Sequence, residues 1–367
     1  MKDTMKIFLV AGARPNFMKI APIYRESLRY EQVECKIVHT GQHYDYAMSQ
    51  AFFDDLELPE LDYFLSAGSG SHAVQTAKIM VSFEELCVNE KPDLVMVVGD
   101  VNSTLACSVV AKKLLIDVAH IEAGLRSFDM TMPEEINRMV TDALSDYYFV
   151  TEESGIENLL REGKPKEKIH LVGHVMIDNL LHQVRQLERA DATGFATYSQ
   201  KRANKEYAFL TLHRPANVDF KENFEEIADA LNTVAQERPI LFPVHPRTQK
   251  MMKEFGIRLS DAVHILPPLG FKESLFLWKD AALVLTDSGG LLEETTALGI
   301  PCVTIRENTE RPITVTMGTN ILGGTRKEGI LNAYRESLNH RGKKYEVPPM
   351  WDGKAAERIF KILLSDK

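Results

Sequence analysis

Short apolar runs alternate with amphipathic stretches of helical spacing along the whole chain, and this alternation narrows the possible folds more than any other feature. Residues 6–10, 34–39, 94–98, 116–121, 147–150 and 169–172 read as strands, and a second series follows at 208–212, 240–244, 263–266, 281–285, 301–305 and 320–322. Helix-period sequence between successive runs leaves room for crossover connections, so each series predicts a parallel sheet with helices on both faces. The polar segment 186–206 reads as a helix plus loop, and an amphipathic last helix follows at the C-terminus. The predicted fold class is α/β, with two doubly wound Rossmann-like domains facing a cleft. The first spans 1–175 and is completed by the helix at 353–367, and the second spans 176–352.

A length of 367 residues exceeds one ordinary core and agrees with two domains. No run of roughly 18 apolar residues occurs, which predicts no membrane span. The N-terminus leads straight into a strand without a signal-peptide pattern, so a cytoplasmic protein is expected. Cys35, Cys87, Cys107 and Cys302 lie far apart without a CxxC spacing, which predicts buried small hydrophobes rather than a disulfide framework or a metal site. A formal net charge of −9 opposes non-specific nucleic-acid binding but permits a local basic pocket for a phosphorylated metabolite. Neither half carries GxGxxG, which argues against the usual nicotinamide-binding dehydrogenase.

Ligands of such sheets bind outside the carboxyl ends of the strands, so the residues just after each strand carry the functional signal. Gly12-Ala13-Arg14-Pro15 follows the first strand, with Pro15 suited to a helix start and Arg14 at its mouth as a planar cation for a diphosphate, or simply as a surface charge. Gly99-Asp100 follows the run 94–98, and Glu122-Ala123-Gly124-Leu125-Arg126 follows 116–121. A glutamate closing a buried strand is costly unless it has a partner or a task. Pro133 then opens a helix whose first turn holds Glu134 and Glu135, a common place for structural carboxylates.

In the second half, His213-Arg214-Pro215 and His245-Pro246-Arg247 follow strands, and two such clusters at strand ends favour ligand contact over structural histidines. Thr286-Asp287-Ser288-Gly289-Gly290 lies between a strand and a helix. Ser288, Gly289 and Gly290 thus occupy a helix N-terminus, where free N–H groups and the helix dipole suit a phosphate, with Glu294 one turn on as an acceptor for ribose hydroxyls. A serine N-cap with turn-tightening glycines fits that segment equally. Acids on one domain facing cations and a phosphate cradle on the other describe acid/base chemistry over a nucleotide.

These motifs, together with His39-Thr40-Gly41-Gln42-His43, Pro133-Glu134-Glu135-Ile136-Asn137-Arg138 and Glu310-Arg311-Pro312, resemble the non-hydrolysing UDP-N-acetylglucosamine 2-epimerases, a family similar to the glycosyltransferase-B fold. The resemblance spans nearly the whole chain. It implies that Arg14, His213, Ser288, Gly289, Gly290 and Glu294 hold UDP. It further implies that Asp100, Glu122 and Glu134 serve as acid/base residues with His213 beside the leaving diphosphate, and that Lys19, Arg138 and Arg311 complete the substrate-binding set. The implied reaction inverts C2 of a UDP-2-acetamido sugar by eliminating UDP to a 2-acetamidoglucal and adding it back. No cofactor and no metal are implied, and a homodimer is expected.

Many bacterial members hold a second, activating substrate molecule with an Arg-Gln pair after the stretch corresponding to 61–67, where this chain reads Ser66-Ala67-Gly68-Ser69-Gly70-Ser71-His72. Gln42, His43 and His245 remain for such a site. His174 replaces an asparagine common in the family. Details around Gly41–Asp45, Gly68–His72 and Ser127–Met130 also resemble 2-epimerases of UDP-2,3-diacetamido-2,3-dideoxy-glucuronate, for whose carboxylate Lys19, Arg126 and Arg138 are candidate partners. A glycosyltransferase of the same shape and a non-catalytic nucleotide-sugar sensor complete the alternatives.

Overall fold

A computed structural model describes residues 4–42, 50–309, 311–339 and 345–365. The chain divides into two compact units, Met1–His182 with Pro349–Lys367, and Gln183–Pro348. The division falls between His182 and Gln183, within the helix Val175–Arg189, whose first turn holds the 175/176 boundary expected from the sequence.

The first unit carries β1 (Met5–Ala11), β2 (Val33–His39), β3 (Tyr63–Phe64), β4 (Leu94–Val98), β5 (Asp117–Ile121), β6 (Tyr147–Val150) and β7 (Ile169–Leu171). They form one sheet in the order β3-β2-β1-β4-β5-β6-β7, each neighbouring pair parallel. The second unit carries β8 (Ala208–Thr211), β9 (Ile240–Pro243), β10 (Val263–Leu266), β11 (Leu283–Thr286), β12 (Cys302–Thr304) and β13 (Asn320–Leu322), ordered β10-β9-β8-β11-β12-β13 and again parallel. Strand order reverses at β1 in one sheet and at β8 in the other, which opens a crevice at the carboxyl ends of β1 and β4 and another at those of β8 and β11.

Burial on both faces explains the continuous apolar runs. Along β1, Ile7, Leu9 and Ala11 join one core cluster while Phe8 and Val10 join the cluster on the opposite face, as the two-residue period requires. The final helix, Ala355–Ser365, sends Ala355, Ala356, Ile359, Phe360 and Leu363 into the cluster that holds Ile7 and Leu9. Its first N–H groups are capped from afar: Asp178 Oδ1 accepts from Ala355 N at 3.1 Å and Oδ2 from Ala356 N at 2.8 Å. The four cysteines are free, and Cys87, Cys107 and Cys302 are buried. No helix among the described residues is long and apolar enough to cross a membrane.

Candidate active site

In the first unit, the turn after β1 is fixed by Asn16, whose Oδ1 accepts from Gly12 N (3.1 Å) and Ala13 N (2.9 Å) while its Nδ2 donates to Val98 O at the end of β4 (3.3 Å). This bracket joins the strands at the switch point. One turn further along the helix Arg14–Ser27, Lys19 reaches Glu122 at the end of β5, Nζ to Oε2 2.6 Å. Glu122 is only 3 % exposed and has φ of 70°, a left-handed backbone that a glutamate adopts at a cost. Gly99, after β4, leaves room for the pair: a Cβ there would lie 3.1 Å from Lys19 Nζ. His174 approaches from the other side, Nδ1 4.0 Å from Glu122 Oε1, with its ring edge-on to Trp351 at 5.2 Å.

Asp100 pairs with Arg138 (Oδ2 to Nη2, 2.6 Å), and Arg138 also meets Glu135 (2.8 Å). Glu135 is buried and accepts from Ser127 N and Phe128 N, at 2.9 and 3.1 Å. Burial pushes its carboxyl up, but those N–H donors and Arg138 prevail and hold it below the usual range. Glu134 lies exposed in the first turn of the helix Pro133–Leu144. Behind this layer, His120 is fully buried, its Nδ1 2.7 Å from Asp142 Oδ1 and its Nε2 2.9 Å from Gly99 O. Asp142 also meets Arg126 at 2.7 Å, and although burial raises its carboxyl, His120 and Arg126 keep it low. The Gly99-Asp100 turn is therefore held from below by a buried cluster of His120, Asp142 and Arg126, of which the sequence reading had not named Asp142.

The other first-unit candidates are placed differently. Arg14 is exposed, with its guanidinium 4.8 Å from the Phe52 ring centre. Gln42 is buried, and its Oε1 accepts from Ser103 N (3.0 Å) and Ser103 Oγ (2.7 Å), so it closes the start of the helix Asn102–Lys113 rather than facing solvent. His43 and Glu310 lie outside the described residues.

In the second unit, fully buried Asp287 organises the switch point after β11. Its Oδ2 accepts from His213 N (2.9 Å), Arg214 N (2.8 Å) and Asn217 Nδ2 (3.2 Å), and its Oδ1 lies 2.9 Å from His213 Nδ1. Burial raises the Asp287 carboxyl, but the His213 ring and the N–H groups outweigh it and hold it low. The turn after β8 is thereby clamped to the turn after β11. A Cβ on Gly289, the first residue of the helix Gly289–Leu298, would lie 3.9 Å from Arg214 Nη2, so a guanidinium stands beside that helix N-terminus. The Ser288 side chain does not cap the helix; its backbone N–H donates to Thr286 Oγ1 at 2.9 Å. Gly290 follows in the first turn without a Cβ contact.

Glu294 is buried one turn on, and burial, reinforced by the neighbouring Glu293 charge, pushes its carboxyl up to about 8. Arg311 is paired with Glu293. His245 is exposed, its ring centre 5.9 Å from that of His213, and its Nδ1 accepts from Arg247 N at 3.2 Å. Burial of its ring and the nearby His213 and Arg247 lower its pKa. Arg214 and Asp287 stood inside the sequence motifs without being singled out, and the strand-end position of both was the available signal.

Each unit thus places its polar residues at a strand-order reversal, acids and Lys19 in the first and an anion-suited helix N-terminus in the second. Residues 25–364 match the family model described as UDP-N-acetylglucosamine 2-epimerase. A UDP-N-acetylglucosamine 2-epimerase of Methanocaldococcus jannaschii is 43% identical over 99% of this chain and 100% of its own length. A UDP-2,3-diacetamido-2,3-dideoxy-D-glucuronate 2-epimerase of Pseudomonas aeruginosa is 40% identical over 91% of this chain and 92% of its own. The crystal structure of the M. jannaschii UDP-GlcNAc 2-epimerase in complex with UDP-GlcNAc and UDP superposes with a TM-score of 0.85 at 42% identity, covering 98% of this chain and 100% of that one. The Neisseria meningitidis UDP-GlcNAc 2-epimerase bound to UDP-GlcNAc gives a TM-score of 0.85 at 28% identity, with coverage of 98% and 100%. The chain belongs to the UDP-N-acetylglucosamine 2-epimerase family.

Proposed function

We propose that this protein interconverts UDP-N-acetylglucosamine and UDP-N-acetylmannosamine by elimination and re-addition of UDP. The proton on C2 is barely acidic, so direct inversion is slow; removing it while the C1–oxygen bond to UDP breaks gives a 2-acetamidoglucal and a UDP anion. Protonation of C2 from the other face, with return of the diphosphate oxygen to C1, completes the inversion without net change in atoms or charge. Two faces require more than one acid/base group, and the first unit offers Glu122, Asp100 and exposed Glu134. The observation that carries the reading is the buried Lys19–Glu122 pair, which joins the helix after β1 to the end of β5, next to the switch point between β1 and β4. In the second unit His213, Arg214 and the Gly289–Leu298 N-terminus suit the departing diphosphate, with Ser288, Gly289 and Gly290 at its edge. Glu294 suits the ribose, and Arg14 and Arg311 add cations.

Turnover in deuterated water tests this: one deuterium at C2 of both recovered nucleotide sugars is expected, and recovered substrate and product without label overturn the mechanism. The diacetamido-glucuronate reaction is the second reading, supported by the P. aeruginosa relative. Lys19, Arg126 and Arg138, the cations suited to a substrate carboxylate, already face Glu122, Asp142 and Asp100, which favours the uncharged hexose. Comparing kcat/KM for the two nucleotides decides between them. The enzyme works in the cytoplasm, where nucleotide sugars are made, and as a homodimer.

A further inference from the structure

His120 stands near the end of β5 with no exposed surface, and the Asp142 beside it has none either. Both ring nitrogens face oxygens: Nδ1 lies 2.7 Å from Asp142 Oδ1, and Nε2 lies 2.9 Å from Gly99 O. A backbone carbonyl only accepts, so Nε2 carries a hydrogen. Asp142 Oδ2 already accepts from Gly124 N at 3.1 Å and meets Arg126 Nη2 at 2.7 Å. Those donors keep the acid ionised, so Nδ1 donates as well and the ring is an imidazolium. Charge balance agrees. Arg126 also reaches Glu162 at 2.7 Å on its outer side, so the ring and Arg126 offset Asp142 and Glu162. A neutral ring would leave a surplus anion in the cluster, at a cost that burial makes large.

The bond to Gly99 O carries the consequence for the site. That oxygen belongs to the peptide bond leading into Asp100, where the chain turns left-handed with Gly99 at φ of 67°. The next carbonyl, Asp100 O, accepts from Asn137 Nδ2 at 2.8 Å, and Gly99 N donates to Ile121 O at 3.1 Å. Three bonds thus fix the backbone on either side of the Asp100 side chain. Of the three, only the one from His120 has a charged donor, which makes it the strongest. We propose that His120 is a positioning residue of the reaction: a buried imidazolium, held by Asp142, that grips Gly99 O and so sets where the Asp100 carboxylate stands. This rests on the reading of Asp100 as an acid/base group above and adds the residue that aims it.

Nitrogen NMR of the full chain, labelled in its histidines, reads the charge. At neutral pH a ring signal with both nitrogens protonated, missing from His120→Phe, is expected; a neutral tautomer overturns the proposal. Kinetics read the positioning. His120→Phe keeps a ring but no donor, and the misplaced Asp100 is expected to lower kcat for C2 deuterium exchange by about tenfold to a hundredfold. KM for UDP-N-acetylglucosamine is expected to hold, because the turns of the second unit are untouched. The same variant strands the Asp142 charge and is expected to melt lower. Adding Asp142→Asn returns the cluster to neutrality, so the melting temperature is expected to recover while kcat stays low, since Gly99 O still lacks its donor. Recovery of kcat together with the melting temperature shows a structural role alone and overturns the proposal, as does wild-type kcat in His120→Phe. A wild-type chain without C2 exchange overturns the epimerase reading and the aiming role with it, whereas the nitrogen spectrum judges the ring's charge in either case.

Discussion

Two buried glutamates make opposite predictions when neutralised. Glu122→Gln removes the proton acceptor beside Lys19 but leaves the second unit's turns untouched. Turnover and C2 deuterium incorporation are expected to fall by roughly 10²–10⁴, with UDP affinity by calorimetry nearly unchanged. Glu294→Gln acts on stability instead. The folded carboxyl titrates at about 8, far above an unfolded glutamate, so the folded state holds the proton more tightly. The resulting penalty is absent below about pH 4, grows as pH rises, and is complete above about pH 8, where it reaches the order of a few kcal/mol. The amide variant is therefore expected to melt higher than wild type at pH 9 and alike at pH 4, by differential scanning fluorimetry without nucleotide. These roles were unevenly legible. The cost of a charge at the end of β5 marked Glu122 in the sequence, but adjacent Glu134 and Glu135 looked equivalent. Only the loop that presents Ser127 N and Phe128 N decides that Glu135 turns inward and Glu134 outward.

At the scale of elements, the turns matter more than the strands that precede them. Asp287 holds the β8 turn by two backbone N–H groups and the His213 ring. Asp287→Asn is expected to weaken UDP binding by about tenfold to a hundredfold, by calorimetry, because charge-assisted bonds become neutral ones and the turn loosens. Gly173, after β7, has φ of 90°, and a Cβ there would lie 2.0 Å from Met350 O. Gly173→Ala forces the returning chain away and is expected to cost about 3 kcal/mol, read from the midpoint of urea unfolding. Twelve strands followed from apolar runs with helical spacers, because parallel sheets bury whole strands. β3 did not: Tyr63–Phe64 is too short to show a period and sits at the sheet edge beside β2. Gln42 was equally opaque, since a glutamine that closes another helix's start has the same composition as one that binds a ligand.

For the whole molecule, the notable feature is that the first unit is made of two distant pieces of chain. Removing residues 353–367 strips Ile359, Phe360 and Leu363 from the core beneath β1 and leaves Asp178 without the N–H groups it accepts. Limited proteolysis of that truncation is expected to digest the first unit early while leaving Gln183–Pro348 resistant, since the second unit's core cluster contains no residue from the last helix. The sequence showed an amphipathic final helix, but its binding partner became visible only in three dimensions, because no local pattern says which sheet an apolar face will cover. One consequence concerns synthesis. A ribosome delivers β1 first and its covering helix last, so the emerging lobe must wait, with part of its oily floor bare, until the entire second lobe has been made; chaperone dependence during translation should therefore fall on the earliest residues rather than the latest.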